Sequence, residues 1–179
     1  PQVPNLNIHA FSKPTRYVGG DFYDFVELET GELFGVLADV SGKGVSASLL
    51  SSMLLGCLQM QLRAGLALDE AVARLNRFLC EKSSASRFVT MFVFTMKSDG
   101  RGRYISAGHN PTYVYRAATR EIEELVSNNM IVGAFPFATY DAAALELNPG
   151  DTLLAYSDGL TEAENPRGEM LGEEGVKQV

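Results

Sequence analysis

Residues 38–50 read ADVSGKGVSASLL: Asp39 stands near the end of an apolar run, a glycine-rich turn follows, and a helix-like pattern begins. The Gly42-Lys43 pair invites a phosphate-loop reading, which spacing tests directly. Such a loop needs its first glycine at position 37 and a hydroxyl residue directly after the lysine. Those positions hold Leu37 and Gly44, so the loop reading fails. What remains is a carboxylate at a strand end beside a turn whose glycines let backbone approach a ligand. An aspartate placed after LFGVLA is costly unless a cation answers it, and a metal ion would do so.

Working outward, Leu33 to Val40 is a near-continuous apolar run that predicts a buried strand, opened by the Thr30-Gly31 turn. Strand patterns are also expected over 5–10 and 17–28, with Gly19-Gly20 marking a bend or bulge. After the turn the period changes. Val45, Leu49, Met53, Cys57 and Gln61 fall at i, i+4 spacing, with Leu50, Leu54 and Leu58 widening the stripe. This predicts a core-facing helix over 46–63. A second helix is expected over 69–82, with Asp69 as N-cap and Val72, Leu75, Phe78 and Leu79 buried. Strands resume over 88–97, where the Met and Phe residues read as core, and over 103–107, 112–116, 122–125 and 152–156. Two helices inserted together among antiparallel strands make the fold class α+β, with helices packed on a sheet or a two-sheet sandwich.

The 179 residues suffice for one domain with a real core. A net charge of −7 and a pI near 4.8 argue against nucleic acid or an anionic membrane as partner. No signal peptide and no apolar run of membrane-spanning length is read from the sequence. Cys57 and Cys80 are expected to be free, buried thiols of a reducing cytoplasm, and no Cys/His cluster supports structural zinc. The opening at Pro1, without Met, predicts a domain excised from a longer chain.

Three acidic clusters share a local logic. Asp21 and Asp24 follow the Gly-Gly bend, Asp39 closes one apolar strand, and Asp158 closes another before Gly159. Carboxylates with nearby glycines can hold a hard divalent cation, although Asp-Gly pairs also mark ordinary turns. With only His9 and His109 available, a histidine-rich transition-metal site is disfavoured, and no nucleophile elbow is present.

VGGDFYDF at 18–25, LADVSGKGVSASLL at 37–50, SAGHNPTYVY at 106–115 and YSDGLTEAEN at 156–165 carry a resemblance. In this order and spacing they resemble the bacterial metal-dependent protein phosphatases of type 2C, the branch typified by SpoIIE and RsbU. The resemblance covers nearly the whole chain. It implies one domain over 1–179, a sandwich of two antiparallel β-sheets flanked by helices, and two Mn²⁺ or Mg²⁺ ions at one end. It also implies hydrolysis of phosphoserine or phosphothreonine on a protein, the usual substrate being a STAS-type anti-sigma-factor antagonist. Relatives join the domain to an upstream sensory or receiver domain.

Position by position, Asp39 resembles the carboxylate that bridges both metals, and Val40 would offer its carbonyl to one of them. Asp21 resembles the acid serving that same metal directly or through water, and Asp158 a ligand of the other. Asp24 reads as a supporting residue. Two metals about 3.5–4 Å apart can acidify a shared water and orient it toward phosphorus without a protein nucleophile. Lys43 reads as a solvated turn lysine or a phosphate contact. His109-Asn110 reads as a turn held by side-chain hydrogen bonds or a proton donor, and Glu162 and Asn165 as caps of a short helix. Asp99 and Asp151 look like plain turns. In the family a further strand carrying an Asp-Asp pair follows the region that here reads LGEEGVKQV; no such strand is read in these 179 residues, whether truncated or truly absent, so the resemblance implies that a metal site built from this chain alone is short of one ligand. The alternatives are a non-catalytic pseudophosphatase that binds or sequesters a signalling partner, and a hydrolase of small phosphate esters.

Overall fold

The computed structural model describes residues 3–13, 19–82 and 87–178. Its strands are β1 (Phe22–Glu27), β2 (Leu33–Val40), β3 (Val89–Met96), β4 (Arg101–Ala107), β5 (Thr112–Arg116), β6 (Glu121–Leu125), β7 (Ala143–Glu146) and β8 (Thr152–Leu154). Its helices are α1 (Val45–Arg63), α2 (Leu68–Lys82), α3 (Asp158–Thr161) and α4 (Gly172–Gln178). The strands form two antiparallel sheets, one ordered β1-β2-β3-β4-β7 and the other β6-β5-β8.

Alternation along the central strands assigns the layers. Phe34, Val36, Ala38 and Val40 of β2, with Val89, Met91 and Val93 of β3, share a core with Leu54, Leu58, Val72, Leu75 and Leu79 of the two long helices. The opposite faces, Leu33, Phe92, Phe94 and Met96, share a second core with Val114 and Leu125 of the small sheet and with Leu145. β3 is therefore covered on both sides, which is why its sequence reads as almost unbroken apolar residues. Beyond the small sheet, Val176 of α4 packs with Tyr113 and Tyr156. The sandwich of two antiparallel sheets flanked by helices is as expected.

Several local expectations need correction. Residues 5–10 form no strand: Asn5 takes φ 65 and its side chain reaches the Ser98 carbonyl, while Leu6 and Ile8 pack at the edge of the second core. The strand expected over 17–28 begins at Phe22, and residues 17 and 18 lie outside the described residues. α2 opens at Leu68, so Asp69 sits in its first turn rather than at the cap. β7 was not foreseen; it exists through its pairing with β4. Phe88 is exposed, and Cys57 and Cys80 are free but only half-buried.

The largest correction concerns α1. Its buried residues are Ala47, Ser51, Leu54, Leu58 and Leu62, whereas Val45, Leu49 and Met53 of the expected stripe are exposed. The helix is apolar nearly all round, so periodicity alone does not choose its face. Small Ala47 and Ser51 choose it by allowing close approach to the sheet. Contrary to expectation, α1 is long and apolar enough to cross a membrane by length and composition, yet its Leu54–Leu58–Leu62 side is packed on the sheet.

Candidate active site

Asp39 is the penultimate residue of β2, directly opposite Thr90 of β3. The Gly19-Gly20 bend lies on it. A β-carbon at Gly20 would stand 2.5 Å from the Val40 carbonyl oxygen and 3.1 Å from Asp39 Oδ1. Two α1 hydroxyls hold the bend: Ser48 Oγ donates to the Gly19 carbonyl at 2.7 Å, and Ser51 Oγ to the Gly20 carbonyl at 2.6 Å. This seating brings the next residue, Asp21, into contact with Asp39. Asp21 Oδ2 also accepts from Ser157 Oγ at 2.7 Å. Ser157 is the N-cap of α3, whose first residue is Asp158. Three stretches far apart in the chain thus converge at one end of the sandwich.

The electrostatics follow. Burial, then the Asp21 carboxylate and the charge of Asp158, raise Asp39 to about 6. Among the described residues no lysine or arginine forms an ion pair with any of the three aspartates. Lys43 is exposed on its turn. Carboxylate repulsion without an internal cation, in an all-oxygen donor set, fits a hard divalent ion. The fit is incomplete: among the described residues no three His, Cys, Asp or Glu side chains are grouped closely enough to hold an ion together.

Asp24 does not join them. It lies on the helix-facing side of β1, where it accepts from Gln59 of α1 and from the Phe25 backbone N–H. His109 does lie near the cluster and is 4% exposed. Its Nδ1 pairs with Thr90 Oγ1 at 3.2 Å. Nε2 is buried without a hydrogen-bond partner among the described residues, although the Tyr156 carbonyl is near. Burial lowers His109 to about 4, against the opposing pull of Asp21 and Asp158. Burial favours the neutral imidazole, and the Thr90 contact ties this turn through a side chain. Glu162 does cap α3, but Asn165 instead organises the 165–169 turn by accepting from the Arg167 and Glu169 N–H groups. Asp151 is more than a plain turn: its side chain is 2% exposed, bonded to Arg116 at 2.8 Å and to two backbone N–H groups.

Sequence reasoning missed the hydroxyls of Ser48, Ser51, Ser157 and Thr90. Ser48 and Ser51 sit one helical turn apart, but Ser46 and Ser52 lie in the same stretch, so residue type alone does not single them out. Ser157 precedes an Asp-Gly helix start, the usual place for a cap.

The family description for Stage II sporulation protein E (SpoIIE) matches residues 29–179. The chain belongs to the SpoIIE family. Within it, the chain is 31% identical to phosphoserine phosphatase RsbU of Bacillus subtilis over 94% of its length and 50% of that protein. It is 27% identical to protein IcfG of Synechocystis, over 100% of its length and 32% of that protein. This SpoIIE-family chain therefore spans half or less of the length of these curated relatives. A solved structure of the RsbU and RsbW domains of Rv1364c from Mycobacterium tuberculosis superposes with a TM-score of 0.71 at 29% identity, covering 86% of this chain and 42% of that one. The PP2C phosphatase domain of SpoIIE from Bacillus subtilis gives 0.75 at 21% identity, covering 91% and 47%, a likeness of fold.

Proposed function

We propose that this chain is a phosphatase domain that hydrolyses phosphoserine or phosphothreonine on a regulatory protein, using Mn²⁺ or Mg²⁺. The convergence of Asp21, Asp39 and Asp158 without a partner cation, in a SpoIIE-family fold, carries the reading. Asp39 would contact both ions, Asp21 and the Val40 carbonyl would serve one, and Asp158 the other. When bound, the ions would supply an acidified water and neutralise phosphoryl charge. The chain's own part is to hold oxygens in place. Ser48 and Ser51 fix the Gly-Gly bend so that Asp21 faces Asp39, and Ser157 turns Asp21 Oδ2 toward the Asp158 stretch.

The substrate class we favour is a phosphorylated STAS-type anti-sigma-factor antagonist, supported by likeness to proteins named phosphoserine phosphatase RsbU and RsbP. We place the domain, a single one over 1–179, in the cytoplasm and downstream of a sensory or receiver domain of a longer chain. The free thiols and the partial coverage of relatives support this. Net charge −7 disfavours nucleic acid. The second reading, a pseudophosphatase that only binds its partner, is favoured by the loose grouping of acids.

Turnover of a phosphoserine peptide with added Mn²⁺, abolished by EDTA, is the expected result. Undiminished turnover in excess EDTA would end the metal-dependent reading. Absent turnover by a domain carrying the family's full ligand set, with tight phosphoprotein binding, would establish the pseudophosphatase.

A further inference from the structure

A phosphate monoester is a dianion, and the ions held by the acidic cluster would neutralise only part of its charge. In a chain of net charge −7, recognition of that group calls for a fixed cation on the rim of the site. Lys43 is exposed, and among the described residues its side chain has no hydrogen-bond or ion-pair partner. Arg87 differs. Ser41 and Phe88 are clasped by one backbone and one side-chain bond, the Ser41 N–H donating to the Phe88 carbonyl at 2.9 Å and the Phe88 N–H to Ser41 Oγ at 2.9 Å. That clasp seats Arg87 against the turn that follows Val40. Its Nη2 donates to Ser46 Oγ at 2.7 Å, and its Nη1 lies 3.8 Å from where a β-carbon of Gly42 would be. Arg74, Arg77 and Arg116 are ion-paired, but among the described residues Arg87 has no carboxylate partner. Gly42 and Gly44 carry no side chains, so a tetrahedral anion can come against the backbone at those two positions of the turn. Three peptide steps separate Gly42 from Asp39, a span of at most about 11 Å.

We propose that Arg87 recognises the phosphoryl group of the substrate, its guanidinium tethered by Ser46 beside the Asp39 end of the sandwich. This rests on the phosphatase reading above. Arginine suits the task because its planar donors pair two phosphoryl oxygens at once, and a neutral hydroxyl orients it without neutralising it. The serine tether leaves the remaining guanidinium N–H groups for the ligand.

The test uses the Mn²⁺-loaded chain, with inorganic phosphate titrated by calorimetry and a phosphoserine peptide followed in steady state. Arg87→Ala should raise both the phosphate dissociation constant and the peptide KM about tenfold or more, the loss expected for charged hydrogen bonds. Mn²⁺ affinity should be unchanged. Arg87→Lys should recover part of each, and Ser46→Ala, which keeps the charge but frees it, should show a smaller rise in both. A merely structural tie between β3 and α1 predicts otherwise: Arg87→Ala and Ser46→Ala would lower the melting temperature alike and leave phosphate affinity and KM as in the parent. That pattern would overturn the assignment. A parent chain that turns over no peptide would instead count against the phosphatase reading, and the phosphate titrations would still decide Arg87.

Discussion

Gly20 and Val40 touch backbone to backbone: a β-carbon on Gly20 would stand 2.5 Å from the Val40 carbonyl oxygen. Backbone φ is not the reason for glycine here; space is. The bend that carries Asp21 can rest on the end of β2 only because no side chain intervenes. Gly20→Ala should therefore force the bend away from Asp39 and Val40, costing about 1–3 kcal/mol as overpacking and most of the Mn²⁺-supported activity. Gly19→Ala is the control, because its nearest neighbour outside the adjacent residues would be 3.9 Å away. Thermal melts and Mn²⁺ titration of both variants check this; equal effects would remove the close-approach explanation.

Asp24 and Asp39 lie on neighbouring strands but face different layers, and their asparagine variants should separate accordingly. Asp24→Asn keeps an acceptor for the Phe25 N–H and weakens the bond from Gln59, for a loss of about 0.5–1.5 kcal/mol in stability and little change in turnover. Asp39→Asn keeps the shape and removes the charge at the centre of the cluster. It should lower kcat/KM about a hundredfold or more, the scale of losing one preorganised charged contact. Steady-state kinetics on a phosphoserine peptide decide it, and a harmless Asp39→Asn would show that another group holds the ion.

The fold was legible where burial acts on both faces of a strand or where turns bound it closely. β2 runs Leu33–Val40 as read, and β5 runs Thr112–Arg116 as read. β7 was invisible because Ala143–Glu146 carries no pattern of its own; pairing with Arg101–Tyr104 makes it a strand. The opposite error occurred at 5–10, where alternation had no neighbouring strand to pair with. At the site, the aspartates could be named from motifs, since carboxylate chemistry is written in residue type. Their supports could not. Ser51 reaches Gly20 across 31 positions and Ser157 reaches Asp21 across 136, contacts that exist only after the sheet and helices are assembled.

Asp39 and His109 titrate in opposite senses, so pH should separate them in the metal-free chain. Asp39 is raised from 3.8 to about 6 by burial and the Asp21 carboxylate. Between those values the folded chain keeps a proton that the unfolded chain has released, so stability from this group falls as pH rises. His109 is lowered from 6.5 to about 4 by burial. There the unfolded chain holds the extra proton, so stability rises with pH and is lost as pH falls toward 4. From pH 4 to 6 the two slopes oppose each other. The melting temperature of Asp39→Asn, relative to the parent in chelator, should climb across that window and level above it. The parent's advantage over His109→Gln should grow from pH 4 to 6.5. A pH-independent offset in either series would show that the group does not titrate as assigned.

The seating of α1 yields the plainest stability contrast. Leu54 is 0% exposed within the helix-facing core, while Leu49, which periodicity had placed in the buried stripe, is 67% exposed. Five residues at about 100° each put these side chains roughly 140° apart around the helix, so only one can face the sheet. Leu54→Ala leaves a cavity in the helix-facing core and should cost about 2–5 kcal/mol. Leu49→Ala removes little buried surface and should stay within about 0.5 kcal/mol of the parent. Urea unfolding of the two variants at fixed pH measures both. A costly Leu49→Ala beside a mild Leu54→Ala would mean that α1 is rotated onto its other face, and the Ser48 and Ser51 hydroxyls would then point away from the Gly-Gly bend.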